Sequence, residues 1–445
     1  MINTRTRREF LVMGALLTIG AAAVAQNRHG DVLGATAITE VFGDGIRLTA
    51  VAVEYDAPVD GARLSAGAFR VEGRTVTAVF TSASASPTDQ APSGRFVIVA
   101  LSPADRGAAL AQRTGPAPGM RKPPGGPGGP GKAGDVPAYD TVYRKAEAGI
   151  VQSGAVTLVN GASVPASGAT VKTTKVLNAV VDDFRQLEFH DPKTGKLLRY
   201  NLFVPRDYDA ARSYPLVLFM HDAGATSDVT RTTLFQGLGA VIWASPQEQA
   251  RRPCFVLAPQ YAELIADDDS KTSAMLDTTI DLVEALAGQY SIDRKRLYTT
   301  GQSGGCMMSI AMDIKYPDFF AASLLVAGQW SPALVQPLAR QKLWIIVSQD
   351  DAKAYPGQNA IVVVLEKEGV KVARAEWDAT WTPAQFRSAF ERIDHQHAPV
   401  NYVTFSKGSV IPPGQSTAGA AGHTNTWRIA YTIEPVREWL FRQHR

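Results

Sequence analysis

Arg296-Leu297-Tyr298-Thr299-Thr300 runs straight into Gly301-Gln302-Ser303-Gly304-Gly305, and that into the apolar stretch Cys306-Met307-Met308-Ser309-Ile310. The first five residues have β-type composition, and residues 306–314 are apolar enough for a buried helix. A serine between them, with glycines two positions before and two after, reads as a nucleophile elbow. The glycines let a strand turn sharply into a helix, so the hydroxyl stands free at the carboxyl edge of a sheet above an unpaired helix N-terminus. A bare G-x-S-x-G is weak; the strand before it and the helix after it give it weight.

An acyl-transfer serine needs a base to take its proton and an acid to orient that base, in the chain order Ser, Asp or Glu, His. Residues 342–348 form an apolar, β-branched run typical of a buried parallel strand, ending in Gln349-Asp350-Asp351. That puts a carboxylate at the same sheet edge as Ser303. Two aspartates compete for the role. Asp351, one residue farther past the strand end, turns back toward the sheet edge more easily; the other is then a loop cap or a solvated carboxylate.

Four histidines follow Ser303. His395 and His397 precede the strand 401–405 and so lie near its amino end, and His444 is in the terminal tail. His423 lies beyond that strand's carboxyl end, after a Gly/Ser/Ala-rich loop, and begins the helical stretch 424–441. From there a base reaches a serine across the top of the sheet, so His423 is the expected base. After the strand 214–220 comes His221-Asp222-Ala223-Gly224-Ala225, a small-residue loop able to aim a backbone N–H at a developing oxyanion. Ala223 is the expected first donor and Gly304 the second. His221 and Asp222 are read as shaping the loop, not as moving protons.

From about residue 184 onward the chain resembles the α/β-hydrolase superfamily, within it the serine esterase group that includes polyhydroxybutyrate-depolymerase-like and feruloyl-esterase-like proteins. The matching pieces are Asn201-Leu202-Phe203-Val204-Pro205, Phe219-Met220-His221-Asp222-Ala223-Gly224, Ala258-Pro259-Gln260, Ile292-Asp293, Thr300-Gly301-Gln302-Ser303, and Gly422-His423 with Trp427. The resemblance implies a doubly wound, mostly parallel sheet and the triad Ser303, Asp351 and His423. It leaves the substrate open. Gly304 stands where such proteins often carry methionine, and residues 352–356 depart from the usual pattern after the acid.

The chain has 445 residues, more than a single core usually supports, and its formal net charge is +3. No basic run alternates with aromatics, so nucleic acid is not implied. Thr6-Arg7-Arg8-Glu9-Phe10-Leu11 is a twin-arginine pattern, followed by a weakly apolar stretch too short to span a membrane comfortably and by Ala23-Val24-Ala25 before Gln26. Residues 1–25 therefore read as a signal peptide for twin-arginine export to the periplasm or beyond, leaving no stable membrane insertion once cleaved. The two cysteines, Cys254 and Cys306, fall at opposite ends of the expected sheet, beyond the ~7 Å Cα limit of a disulfide.

Between signal and hydrolase, 33–180 reads as a small all-β sandwich, with short strands at 46–55, 68–71, 75–81 and 95–101 and completing strands at 156–159 and 169–176. It resembles the immunoglobulin-like domains that precede some esterases of this group. Residues 114–137 form a Pro/Gly-rich insertion too poor in apolar side chains to pack, expected as a mobile loop. Its Gly126 to Lys132 run is no phosphate loop, because prolines remove needed N–H donors and neither strand nor helix flanks it. Residues 180–185 join the sandwich to the catalytic domain, 184–445.

Asp394-His395-Gln396-His397 has ligand-type residues but no third cluster, and reads as a helix-to-strand connection. Asp267-Asp268-Asp269 reads as the N-terminal cap of a helix over 272–290. Trp330, Trp427 and Gln302 are expected around the substrate pocket. The expectation is a carboxylic-ester hydrolase without cofactor or metal, acting on a small or polymeric ester, with every group needed for chemistry after Val181. The rival readings are a serine peptidase of the same fold and a non-catalytic carbohydrate- or polymer-binding protein.

Overall fold

The computed structural model describes residues 31–113, 131–137 and 141–445. The twin-arginine stretch 1–25 and residues 114–130 of the Pro/Gly insertion lie outside them.

The N-terminal domain is all β. A five-stranded sheet runs in the order Lys175–Asn178, Val32–Phe42, Gly45–Asp60, Ser93–Leu101, Val76–Ser82, and a three-stranded sheet in the order Thr170–Lys172, Gly149–Gln152, Phe69–Val71. Period-two alternation sorts the long strand Gly45–Asp60: Val51, Val53 and Tyr55 enter the main core, while Ala50 and Ala52 pack with Ile38 and Ile98 on the other face. Buried Tyr55 ties the sheets together by donating its hydroxyl to Gln152 Oε1 at 2.8 Å. The strand Val32–Phe42 went unread in the sequence because Gly34 and small residues blur its pattern. It is a full member of the sheet, paired antiparallel with Gly45–Asp60 and parallel with Lys175–Asn178.

The insertion is not loose along its whole length. Residues 131–137 lie on the C-terminal domain, where Gly134 N donates to Leu264 O and Leu264 N to Asp135 O, each at 2.8 Å. The mobile-loop expectation is corrected for this segment.

The C-terminal domain is built on nine strands: β1 (Arg185–His190), β2 (Leu197–Phe203), β3 (Tyr214–Met220), β4 (Phe255–Gln260), β5 (Ile292–Gln302), β6 (Ala322–Val326), β7 (Leu343–Ser348), β8 (Val372–Trp377) and β9 (Val400–Phe405). Their order is β1-β2-β4-β3-β5-β6-β7-β9-β8; β1, β2 and β4 pair antiparallel and all other neighbours parallel. Strands buried on both faces need continuous apolar runs, and β3, β4, β6, β7 and β9 are buried throughout. Leu216, Leu218, Leu257, Leu325 and Ile345 face the helices Met275–Gln289, Gly304–Lys315 and Ala354–Lys367. Val217, Phe219, Val256, Leu324 and Ile346 face the other way, into a core that continues without a break into the N-terminal sandwich. The two domains therefore share apolar burial, each fully buried Val or Leu contributing about 1.5–3 kcal/mol. Cys254 and Cys306 are buried and unbridged.

Candidate active site

β5 ends at Gln302 and the helix Gly304–Lys315 starts two residues later, leaving Ser303 alone in the turn at φ 54°, ψ −118°. A non-glycine residue in such a conformation stores about 1–3 kcal/mol, which the surroundings must hold. The flanking glycines show how. A Cβ on Gly301 would lie 2.3 Å from the Gly305 carbonyl carbon, and one on Gly305 only 2.0 Å from Met220 O. Ser303 N donates to Val326 O at 3.1 Å, pinning the turn to β6.

His423 sits in the first turn of the helix Ala421–Ala430, which begins two residues earlier than the histidine and not after it. The Ser303 hydroxyl donates to His423 Nε2 at 2.8 Å, and His423 Nδ1–H donates to Asp351 Oδ2 at 2.5 Å. Asp351 is buried, and Oδ1 accepts from Lys353 N at 3.1 Å and Ala354 N at 2.9 Å. Burial pushes this carboxyl up, but the hydrogen bond and charge of His423, with the two N–H groups, outweigh it and hold the group below the usual carboxylate range. Asp350 faces elsewhere: its Oδ2 accepts from Gly408 N at 2.6 Å, closing the turn between the ends of β7 and β9. Gly422 presses on it, since a Cβ there would lie 2.5 Å from Asp350 Cβ. The helix thus rests on Asp350 while its histidine reaches Asp351.

Ala223 and Gly304 each open a helical turn, where an N–H has no partner within its own helix. The two segments face each other, with Ala223 N 3.6 Å from where a Gly304 Cβ would stand. Among the described residues no other atom outside Gly304's own helix and neighbours comes within 4 Å of that position, so the glycine leaves the cavity floor open. Asp222 caps the Ala223 turn through Gly224 N at 2.8 Å and accepts from Gln302 Nε2 at 2.9 Å. His221 Nδ1–H donates to Asp222 O at 2.8 Å while Nε2 accepts from Tyr261 N at 3.0 Å. Burial holds its imidazole below the ordinary value against the pull of Asp222, so it is a neutral strut.

Above these groups lies a cavity of about 600 Å³ whose walls include Ala266, Met307, Ala352, Ala420 and Trp427. Of the three residues expected around the substrate pocket, only Trp427 faces it, its ring edge-on to His423 at a centroid distance of 4.9 Å. Gln302 is buried beneath the Asp222 loop, bonded also to Gln236, because the last residue of a central strand points into the core. Trp330 packs into the core and borders a depression of about 320 Å³ that adjoins the main cavity, sharing Asp268, Met307 and Gln329 with it. Met307 was not singled out, although its place one helical turn after Ser303 puts it on the same face. Asp267, Asp268 and Asp269 do not cap the helix, which starts at Met275. Asp267 instead closes its own turn through Asp269 N and Lys271 N and accepts from Ala133 N at 3.1 Å, holding the end of the insertion beside the cavity. Asp394 pairs with Arg442 and His395 Nδ1 with Glu391 O, as befits a connection.

The N-terminal domain reaches this site. Its hairpin Ala111–Arg113/Thr141–Tyr143 lies against the Ala223–Ala225 turn: Thr141 Oγ1 donates to Gly224 O at 3.1 Å, and Tyr143 packs edge-on against Phe235 at 5.1 Å. Gly43, in the turn before Gly45–Asp60, touches the histidine helix so closely that a Cβ would lie 2.6 Å from Arg428 O. Between the domains a groove of about 520 Å³ runs up to Trp427, Asp222 and Gly224, which also border the main cavity. The expectation that all chemistry-bearing groups follow Val181 stands beside a wall that no local pattern announced.

Residues 34–165 match the family of esterase immunoglobulin-like N-terminal domains. The whole chain is similar in structure to a thermostable esterase, at TM-score 0.72 and 26% identity, over 93% of this chain and 100% of the other. In fold, this chain is an α/β-hydrolase behind an esterase-type immunoglobulin-like domain. Acetylxylan esterase A of Emericella nidulans is 29% identical over 93 residues, which is 17% of this chain and 31% of that protein. The match thus spans about a third of that curated relative.

Proposed function

We propose that this α/β-hydrolase is an exported serine esterase that cleaves carboxylic esters through an acyl-enzyme. The observation that carries the reading is the unbroken chain from Ser303 Oγ through both nitrogens of His423 to buried Asp351. His423 Nε2 takes the Ser303 proton as Oγ attacks the ester carbonyl, and the charge on the carbonyl oxygen falls toward the N–H groups of Ala223 and Gly304. When the tetrahedral centre collapses, the C–O bond to the alcohol breaks and His423 returns the proton to the leaving oxygen. Water then attacks the acyl-enzyme by the same route, releasing the acid and restoring Ser303. Asp351 stays ionised throughout, fixes Nδ1 as the protonated nitrogen and stabilises the imidazolium. The cycle uses only this chain's own groups. The twin-arginine pattern supports export, and the likeness to a thermostable esterase supports an ester over a peptide.

Hydrolysis of p-nitrophenyl acyl esters, methyl ferulate, polyhydroxybutyrate film and a chromogenic peptide tests the reading and sorts the acyl groups. Ester cleavage with fluorophosphonate labelling at Ser303 is expected. Peptide cleavage without ester cleavage would make the protein a peptidase, and no turnover with no labelling would make it a binding protein.

A further inference from the structure

We infer that a polar bridge, Gln329–Asp268–Lys353, is the stop at the end of the acyl pocket and confines this protein to esters of short carboxylic acids. The inference rests on the esterase reading above.

Two stretches whose side chains take no part in the triad meet here: the acidic triplet Asp267–Asp269, which caps no helix, and the residues that follow Asp351. Lys353 Nζ pairs with Asp268 Oδ2, and Gln329 Nε2 donates to Asp268 Oδ1 at 2.9 Å. Asp268 is therefore held from both sides, and its partners are fixed in turn. Lys353 N donates to Asp351 Oδ1 at 3.1 Å, which ties one end of the bridge to the triad acid. At the other end Gly357 lies so close that a Cβ there would stand 2.5 Å from Gln329 Cβ, and Ser331 N donates to Ser270 Oγ at 2.8 Å.

The alcohol must stand where His423 Nε2 can return its proton, so the acyl chain points away from the histidine. Trp427, against the imidazole, belongs to the core on one face of the sheet, whereas Met307 and Trp330 belong to the core on the other. A chain leaving Ser303 away from His423 therefore runs over Met307, one helical turn on. Ala266 lines the same side, and Asp267 turns its carboxylate to the N–H groups of Ala133, Asp269 and Lys271. There the cavity is divided: Asp268, Met307 and Gln329 border both it and the depression of about 320 Å³ that holds Trp330. One turn is a rise of about 6 Å, room for about four carbons of extended chain. A longer chain has to push the bridged side chains apart or turn out into solvent.

The test uses p-nitrophenyl butyrate and p-nitrophenyl octanoate, which share their alcohol, so the ratio of their kcat/KM values reads the acyl group. In the intact protein butyrate is expected to lead by about tenfold or more. Asp268→Ala removes the side chain that both partners hold and opens the way to Trp330, and should shrink that lead at least about fivefold. Lys353→Ala should shrink it too and serves if the first variant does not fold, since the backbone N–H that residue 353 gives Asp351 is kept. General damage to the triad moves both values together and leaves the ratio in place. No lead of butyrate in the intact protein, or a lead unmoved by the variants, overturns the stop while the esterase reading stands. Hydrolysis of neither ester strikes the esterase reading itself.

Discussion

The floor and the far wall of this site are held by different means. The floor is local: Gly301, Ser303 and Gly305 lie within five residues, and their contacts are so tight that a single Cβ would meet backbone at 2.0 to 2.3 Å. The wall is assembled across the chain, from one hydroxyl hydrogen bond between Thr141 and Gly224, an aromatic pair, and the approach of Gly43 to the histidine helix. Backbone sterics admit few alternatives, so the floor fixes a geometry that chemistry needs to a fraction of an ångström. Apart from the backbone approach at Gly43, the wall rests on side chains and domain burial, and those side chains tolerate change in what they contact.

If that contrast is right, the largest effects lie at the floor. Ser303→Ala should lower kcat by at least about 10⁴-fold with little change in melting temperature, because the hydroxyl adds reactivity and not packing. A variant that keeps most of its ester turnover breaks the assignment. Asp351→Asn should lower kcat about 10²–10⁴-fold by losing the imidazolium partner, whereas Asp350→Asn, whose carboxylate closes a turn, should cost far less. Reversed magnitudes in steady-state kinetics would exchange the two roles. At the wall the effect should appear in stability: Gly43→Ala forces the turn away from Arg428 O and should cost about 1–3 kcal/mol in chemical denaturation. An unchanged midpoint would mean that the domains are not packed as one body.

The smallest effect lies under the floor, at Asp313 in the helix that follows Ser303. Burial pushes its carboxyl up to about 7, only partly offset by Ser323, and neither carboxylate oxygen has a partner at normal hydrogen-bond geometry. A raised carboxyl is protonated in the fold, so its contribution is intact below the ordinary value of 3.8 and erodes as pH rises to about 7. Asp351 works the other way, contributing above the ordinary carboxylate range and losing that contribution as pH falls through its lowered value. Melting temperatures at pH 4.5 and 7.5 should therefore differ less in Asp313→Asn than in the parent. An equal difference in both proteins would leave Asp313 without that role.

The same contrast explains what was legible in the sequence. The elbow, the strand ahead of Asp351 and the position of His423 beyond β9 are set by neighbours or by the order of a parallel sheet, and the geometry brings those residues together. The choice between Asp350 and Asp351 depended on a contact with Gly422 that no local pattern carries. Gln302 was misplaced because the last residue of a strand still alternates between core and cavity, and Trp330 stands beside the cavity, past the end of its strand. Thr141 and Tyr143 were invisible as site residues, since the partner of Thr141 lies 83 positions away. The acidic triplet was misread because charge before a helix resembles a cap whether or not it serves as one.

The parallel pairing of Val32–Phe42 with Lys175–Asn178 sets the timing of synthesis. Thr39 meets Asn178 at 2.9 Å across a separation of 139 residues, so the first strand of the domain must wait for the last. At roughly 5–20 residues per second that wait is on the order of ten seconds, during which one flank of an apolar strand is open to any other edge that passes. The ribosome and its attendant chaperones must shield that flank before there is an enzyme to protect.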